Sequence, residues 1–291
     1  MDSSSRVFEG GHRYGHGIMT LTHDGAFFIS LNGGSAMAVV DGQWIMRGLD
    51  WNDPYRIRTW QELVNWIDEV GFLPLFANEI AGFSAEEHVS PNYWWTGVKE
   101  QDPWEWREIM AASHKVAYGK FFAQKAGFIS LKWLPYFVNF RRDGYDFDAR
   151  WEDGLANQRE KKIMDLLVGR DADGDTVFQD NQILSTELKK MAGFGKGGEK
   201  NFPGIITGLQ MQTYLVITDF HRRKNKKGEE FGMPVSVLLP PEAIWTYEKV
   251  TSAYEEKPAD SWKRIQNRIM ELYPEATQKE VTDLIGAKPK G

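Results

Sequence analysis

Apolar positions recur at helical spacing in TWQELVNWIDEVGF, where Leu63, Trp66, Ile67 and Val70 share one stripe. Thr59 can accept from the first free N–H groups and Gly71 offers a stop, so a helix is predicted between them. The same spacing predicts a helix over 108–123, and another over 151–167 with Leu155, Ile163, Leu166 and Leu167 inward. Gly127, Pro135 and Gly144 interrupt the stretch between these two, which reads as irregular and aromatic-rich. Farther on, Ser185 is placed to cap a short helix through Met191, ended by Gly193. A further helix starts near Pro203 with Ile205, Ile206 and Leu209 inward. TYLVITDF then alternates at the strand period, HRRKNKKGEE is a charged loop, and FGMPVSVLL is a second strand. The last segment, SWKRIQNRIMELYPEATQKEVTDLIG, divides at Pro274 into two helices, with Thr277 as cap and Gly286 as stop.

Residues 1–56 follow a different pattern. Four glycines fall among positions 10–17, and IMTLTHDGAFFISL is centred on the hairpin signal Asp24-Gly25. AMAVVDGQWIM carries a second Asp-Gly pair, so a small β-rich extension is predicted here. Residues 57–150 read as a helical, aromatic-rich domain of winged-helix-like kind. Residues 151–245 run helix, helix, helix, strand, basic loop, strand, which is the order of a winged-helix domain. Residues 246–291 form a C-terminal helical unit. The expected class is α+β and helix-rich.

Composition narrows the classes of function. Hydrophobic residues make up 42% and charged residues 26%, which excludes a disordered or fibrous chain. With no cysteine there is no disulfide framework, thiolate metal site or thiol nucleophile. The formal charge of −6 means that any nucleic-acid contact must come from a local patch. No apolar run reaches the ~18–20 residues of a membrane span and no signal-peptide core is visible. A cytoplasmic protein with no membrane partner is the expectation.

The densest local patch is HRRKNKKG, where Arg222, Arg223, Lys224, Lys226 and Lys227 put five positive charges at a hairpin tip. Such a tip can lie against phosphates, or it can be a solvated turn that guards a sheet edge. Gln210 and Gln212 could read base edges or orient a water, but at ~100° per residue a helix points them ~200° apart. Polar residues at a helix end are the simpler reading. Asp171, Asp173 and Asp175 mimic the first three ligand positions of a calcium loop. Thr176 stands where that motif needs glycine and Gln182 where it needs a bidentate Glu, so a solvated loop is expected, with no metal. His12, His16 and His23 lie in a Gly-rich stretch with nothing periodic to converge them. His114 reads as a helix residue with a satisfied ring. Signatures of serine hydrolases, zinc proteases and nucleotide-binding loops are absent, and no cofactor is expected. Finally, Trp94, Trp95 and Trp104 with Arg141, Arg142, Asp143, Asp146 and Asp148 have the makings of a pocket for a planar small-molecule ligand. The alternative is an aromatic core with Arg–Asp pairs on its rim.

From Trp106 to Trp245 the order of features resembles the AlkZ/YcaQ-like winged-helix DNA glycosylases, and most closely the AlkZ-related chains. WREIMAASHKVAYGKFFAQKAGFISLKWLPYFVNFRR is similar to the region joining that family's first two winged helices. REKKIMDLL, ILSTELKKMAGF and ITGLQMQTYLVITDF are similar to its middle winged helix. The resemblance implies tandem winged helices around a DNA channel and hydrolysis of the N-glycosidic bond of alkylated bases in DNA repair. That family carries a Gln-x-Gln or Gln-x-Asp motif in its first winged helix. The corresponding stretch here, DEVGFLPLFANE, has no Gln, and Gln210-Met211-Gln212 lies in the middle winged helix. The catalytic role is therefore not transferred to that triplet. Three functions remain: a DNA binder without the chemistry, a glycosylase-like hydrolase using Glu79, Glu86 or Glu87 to position water, or a binder of a planar small molecule.

Overall fold

The computed structural model describes residues 6–7, 38–40 and 43–289. The hairpin predicted at Asp24-Gly25 and the residues His12, His16 and His23 lie outside these. Strands β1 (Arg6–Val7), β2 (Ala38–Val40) and β3 (Gln43–Met46) form a small antiparallel sheet in the order β1-β3-β2. In the β2–β3 pair Val40 lies opposite Gln43 and Ala38 opposite Ile45. Met46 is fully buried in the main core.

Helix α1 (Trp60–Val70) starts where the sequence places it, with the Thr59 hydroxyl accepting from the Glu62 N–H at 3.2 Å. Leu63, Ile67 and Val70 are buried, and Trp66 is half-buried. Strand β4 (Phe72–Pro74), the single turn α2 (Ala85–His88) and helix α3 (Pro103–Ser113) follow. The helix predicted over 108–123 stops at Ser113, because His114 turns left-handed at φ 54°. Val116–Phe122 is strand β5, not helix. It lies inside the sheet with nearly every residue buried, so its apolar run carries no period that separates strand from helix.

Strand β6 (Lys125–Ser130) and helix α4 (Leu134–Arg142) occupy the stretch predicted to be irregular. Pro135 falls in the first turn of α4, where a missing N–H costs nothing. Gly127 is not a break but a strand residue, paired with Gly119 on one side and Pro74 on the other. A Cβ there would sit 2.4 Å from the Phe122 ring and 2.8 Å from the Leu73 carbonyl oxygen. Gly127→Ala is therefore expected to destabilise the protein by ~1–3 kcal/mol, read as a lower urea midpoint at unchanged slope.

The helix predicted over 151–167 is two helices, α5 (Phe147–Glu152) and α6 (Gln158–Leu167). Gly154 turns the chain at φ 71°, and Asn157 with Glu160 builds a capping box that starts α6 anew. Leu155 falls in the break and is 50% exposed, Leu166 is half-buried, and Met164 joins Ile163 and Leu167 in the interior. The stretch read as a polar loop contains a small hairpin, β7 (Val168–Arg170) with β8 (Thr176–Phe178). Helix α7 (Ser185–Met191) has Leu184 rather than Ser185 at its cap position. Helix α8 (Phe202–Met211) precedes the long hairpin of β9 (Val216–Lys224) and β10 (Glu230–Leu239). The chain closes with α9 (Glu242–Trp245), α10 (Tyr247–Val250), α11 (Pro258–Leu272) and α12 (Gln278–Ile285). Thr277 and Glu280 make the capping box of α12, and Gly286 ends it.

The result is a mixed α+β fold built on a five-stranded antiparallel sheet in the order β10-β9-β5-β6-β4. One core, rich in aromatics such as Phe72, Phe83, Phe122 and Phe137, packs α1, α4, α11 and α12 around β4–β6. A second core joins α6, α7 and α8 to the foot of the β9–β10 hairpin through Ile163, Leu188, Leu209, Leu215 and Leu238. Leu184, just before α7, bridges to Val237 of β10. Among the described residues no helix is long and apolar enough to cross a membrane.

Candidate nucleic-acid interface

The β9–β10 ladder runs from Val216–Leu239 at its base to Lys224–Glu230 near its tip. Arg222, Arg223 and Lys224 thus belong to β9, and only Lys226 and Lys227 stand in the connecting turn. The strand outlasts the apolar alternation because ladder hydrogen bonds need no side-chain burial at a sheet edge. Asn225 builds the turn: its Oδ1 accepts from the N–H groups of Lys227 at 2.8 Å and Glu229 at 3.1 Å. All five cations are exposed, and among the described residues none of them makes an ion pair. Glu229 and Glu230 offset part of the positive charge.

At the foot of the hairpin lies a group that sequence spacing does not show. The buried Arg107 guanidinium of α3 sits 3.8 Å from the Trp104 ring centre and 4.6 Å from that of Phe220 on β9. It also donates to Glu108 at 2.8 Å. Burial pushes the Glu108 carboxyl above its ordinary pKa, against the opposing pull of Arg107, Arg222 and Lys99. This stack fixes the hairpin's direction relative to α3. Tertiary packing alone brings these residues together; the one signal in the chain is the aromatic flank Trp104-x-Trp106 beside Arg107.

Gln210 and Gln212 diverge. Gln210 is buried, its Oε1 accepting from the Lys120 N–H at 3.0 Å and its Nε2 donating to the Ile206 carbonyl. Gln212 ends α8 and turns instead toward α6, donating to Glu160 at 3.3 Å and to the Gly208 carbonyl. His114 caps α3 rather than continuing it, and its Nε2 lies 3.3 Å from the Thr218 carbonyl oxygen.

The three carboxylates after the missing Gln motif occupy three different environments. Glu86 is completely buried, and its oxygens accept from the Arg47 N–H at 2.7 Å and the Ala77 N–H at 3.0 Å. Desolvation outweighs those two bonds and pushes its pKa up to about 7. That value suits a general acid or base, but a side chain with no accessible surface meets no substrate. Glu87 binds the Gly82 N–H at 2.9 Å and the Ser84 hydroxyl at 2.6 Å, which makes it a capping residue of α2. Glu79 is exposed and lines a 320 Å³ cavity with Tyr273 and Glu280.

Of the eight residues suggested for a planar-ligand pocket, the three tryptophans lie together, with the Trp95 ring 6.5 Å from that of Trp104, whereas the arginines, Asp146 and Asp148 contact other residues. Trp94 is buried against Phe76 at 5.5 Å and Trp95 at 5.6 Å, and Trp104 stacks on Arg107. Arg142 pairs with Glu242 on α9 and donates to the Thr213 carbonyl at 2.8 Å. Arg141 donates to the Phe121 carbonyl and lies over the Phe137 ring at 4.9 Å. Asp148 pairs with Arg170 on β7, Asp146 accepts from the Tyr247 hydroxyl, and Asp143 is exposed at the end of α4. None of the eight lines the 320 Å³ cavity or the 540 Å³ cavity beside Trp133, Lys132 and Arg264. Asp171, of the calcium-like loop, accepts from the N–H groups of Asp173 and Asp175, closing the β7–β8 turn. Among the described residues no cluster of three or more His, Asp or Glu side chains could hold a metal ion.

A family model described as AlkZ related matches residues 57–286. No curated protein and no solved structure matches the chain. The matched stretch holds every helix from α1 to α12 and all five strands of the central sheet. The resemblance first legible between Trp106 and Trp245 therefore extends over most of the chain, which belongs to the AlkZ-related family.

Proposed function

We propose that this chain is a DNA-binding protein of DNA-repair type, in which the β9–β10 hairpin rests on the phosphate backbone. The observation that carries this is the hairpin itself: five exposed cations, free of ion pairs among the described residues, on β9 and the turn that follows it in an acidic protein. Each phosphate they neutralise releases condensed counterions. We read residues 151–245 as a winged helix, with α6, α7 and α8 as its helices, the Leu184–Val237 bridge as its short first strand and the hairpin as its wing. Residues 57–150 would be a second such unit, 1–56 the β-rich extension and 246–291 a helical closure. Its kinship with the AlkZ-related family supports both readings. The proposal stops at binding, because Glu86 and Glu87 are committed to backbone and capping hydrogen bonds and Glu79 lines a cavity to which the β9–β10 hairpin contributes no residue.

Charge reversal at Lys226 and Lys227 tests it. Affinity for all DNA sequences should fall about equally, and the log–log salt slope should flatten by ~0.9 for each phosphate that is no longer neutralised. Stability should stay within ~0.5 kcal/mol, since both side chains are at an exposed tip. The binding titration is run against duplex, single-stranded and alkylated DNA with a readout for released base; binding without release is expected. A double variant that binds as the parent does, with the same salt slope, would reduce the wing to a solubilising turn.

A further inference from the structure

The hairpin carries two side chains that binding to phosphate does not require. Phe231 and Met233 on β10 are 46% and 58% exposed. Single exposed apolar residues are ordinary, but these two stand within the most cationic hairpin of the chain. The backbone there leaves the ladder. Between the pairs Arg223–Phe231 and His221–Val235, β10 holds Gly232, Met233 and Pro234 against Arg222 alone. Gly232 takes φ 76°, a conformation that needs glycine, and Pro234 has no N–H to give the ladder. Arg222 donates to the Gly232 carbonyl at 3.3 Å, which ties a cation to the bulge. Arg223 lies 5.5 Å from the centre of the Phe231 ring. Bulges of this kind re-aim side chains, and this one carries an aromatic ring and a thioether on the stretch that Arg222 and Arg223 contact.

We propose that Phe231 and Met233 form an apolar wedge that enters duplex DNA at a weakly stacked base step, while the neighbouring cations hold the flanking phosphates. The proposal rests on DNA binding through this hairpin. Apolar side chains inserted between base steps unstack them partially, and the cost is a few kcal/mol per step. That cost is least where stacking is already weak, at a mismatch or a pyrimidine–purine step. A wedge flanked by cations therefore selects duplexes by deformability rather than by base edges. Charge complementarity fixes the occupant: the hairpin's five cations outnumber Glu229 and Glu230 beside the apolar pair, and a polyanion with an apolar interior at its base stack matches both.

The test uses the full chain and a duplex carrying 2-aminopurine, whose emission rises on unstacking, placed at a TA step or beside a mismatch. Binding is followed separately by anisotropy of a terminal label. The parent should raise 2-aminopurine emission severalfold and prefer the mismatched duplex by about tenfold, equivalent to ~1.4 kcal/mol. Phe231→Ala/Met233→Ala should bind with the parent's salt slope but leave the emission at its free-duplex level and lose the mismatch preference. Both residues are exposed, so an unchanged thermal midpoint is expected of the variant. Parent binding without an emission change, or a double variant that raises emission as the parent does, overturns the wedge and leaves binding to phosphate standing. No anisotropy change at low salt removes both. A concentration-dependent dimer of the parent that the double variant abolishes would also overturn the wedge, assigning the patch to self-association.

Discussion

Arg142→Ala is expected to remove ~3–5 kcal/mol of stability, because it leaves Glu242 buried without its partner. Both side chains are only 2% exposed. The guanidinium joins three parts of the chain. It pairs with Glu242 on α9, donates to the Thr213 carbonyl at 2.8 Å just before β9, and lies 4.6 Å from the Tyr214 ring centre. Burial opposes the guanidinium's charge, yet Glu242 and the nearby tyrosines push its pKa above the usual arginine value. The guanidinium therefore keeps its charge throughout the working range of pH. Arg142→Lys should not rescue, since a single ammonium cannot serve Glu242 and the Thr213 carbonyl in two fixed directions. Replacing both partners with apolar residues of similar volume, Arg142→Met with Glu242→Leu, should recover most of the loss, because no charge is then stranded. Urea denaturation of the four proteins measures this. A loss below ~1 kcal/mol for Arg142→Ala would show the pair to be as weak as a surface ion pair.

The second large effect is a pH dependence that resides in Glu86. Its pKa rises from an ordinary 4.5 to about 7 in the folded protein, chiefly through desolvation, with a smaller like-charge contribution from Glu87. The backbone N–H groups of Arg47 and Ala77, and the Arg47 charge, pull the other way. Between those two pH values the unfolded chain has released a proton that the folded chain keeps. Unfolding is then coupled to proton release, so stability from this group is complete below pH 4.5 and is lost as pH rises through about 7. At 1.36 kcal/mol per pKa unit the loss is ~3 kcal/mol. Glu86→Gln, neutral at every pH, should lack it. The difference in stability between variant and parent, measured from pH 4.5 to 8, should move by that amount in favour of the variant. Parallel curves would mean that the two N–H bonds hold Glu86 ionised at its ordinary pKa.

Glu86 also shows why a perturbed pKa is not a functional site. The number suits acid–base chemistry, but the carboxyl is sealed between the segment after β3 and the loop before α2. Its work is to hold the Arg47 backbone, next to the buried Met46, against the body of the protein.

What the sequence determined by itself was the local chemistry of element ends and of half-buried faces. Thr59 and Gly71 bound α1, and Thr277 and Gly286 bound α12, because caps satisfy backbone groups within a few residues of themselves. The alternation in TYLVITDF located β9 because buried Val216 and Thr218 alternate with half-buried Ile217 and Asp219. The resemblance to the AlkZ-related family rested on the same apolar pattern and holds over residues 57–286. Tertiary structure decided the rest. Strand β5 is buried on both faces except at Lys120, because β6 and β9 cover only its edges and α3, α8 and α12 pack against it, and no period survives that burial. Gly127 and Pro135 read as breaks, yet a strand can need a glycine where a ring crosses it, and a helix accepts proline in its first turn. The partners of Arg107, Arg142 and Glu86 are equally illegible, because the pairs Arg107–Phe220 and Arg142–Glu242 and the contact Glu86–Arg47 join positions distant along the chain. A residue's type records what it can bond to; only packing decides whether water or another side chain is there to be bonded, and with it whether a charge is a contact for DNA or a clamp for the fold.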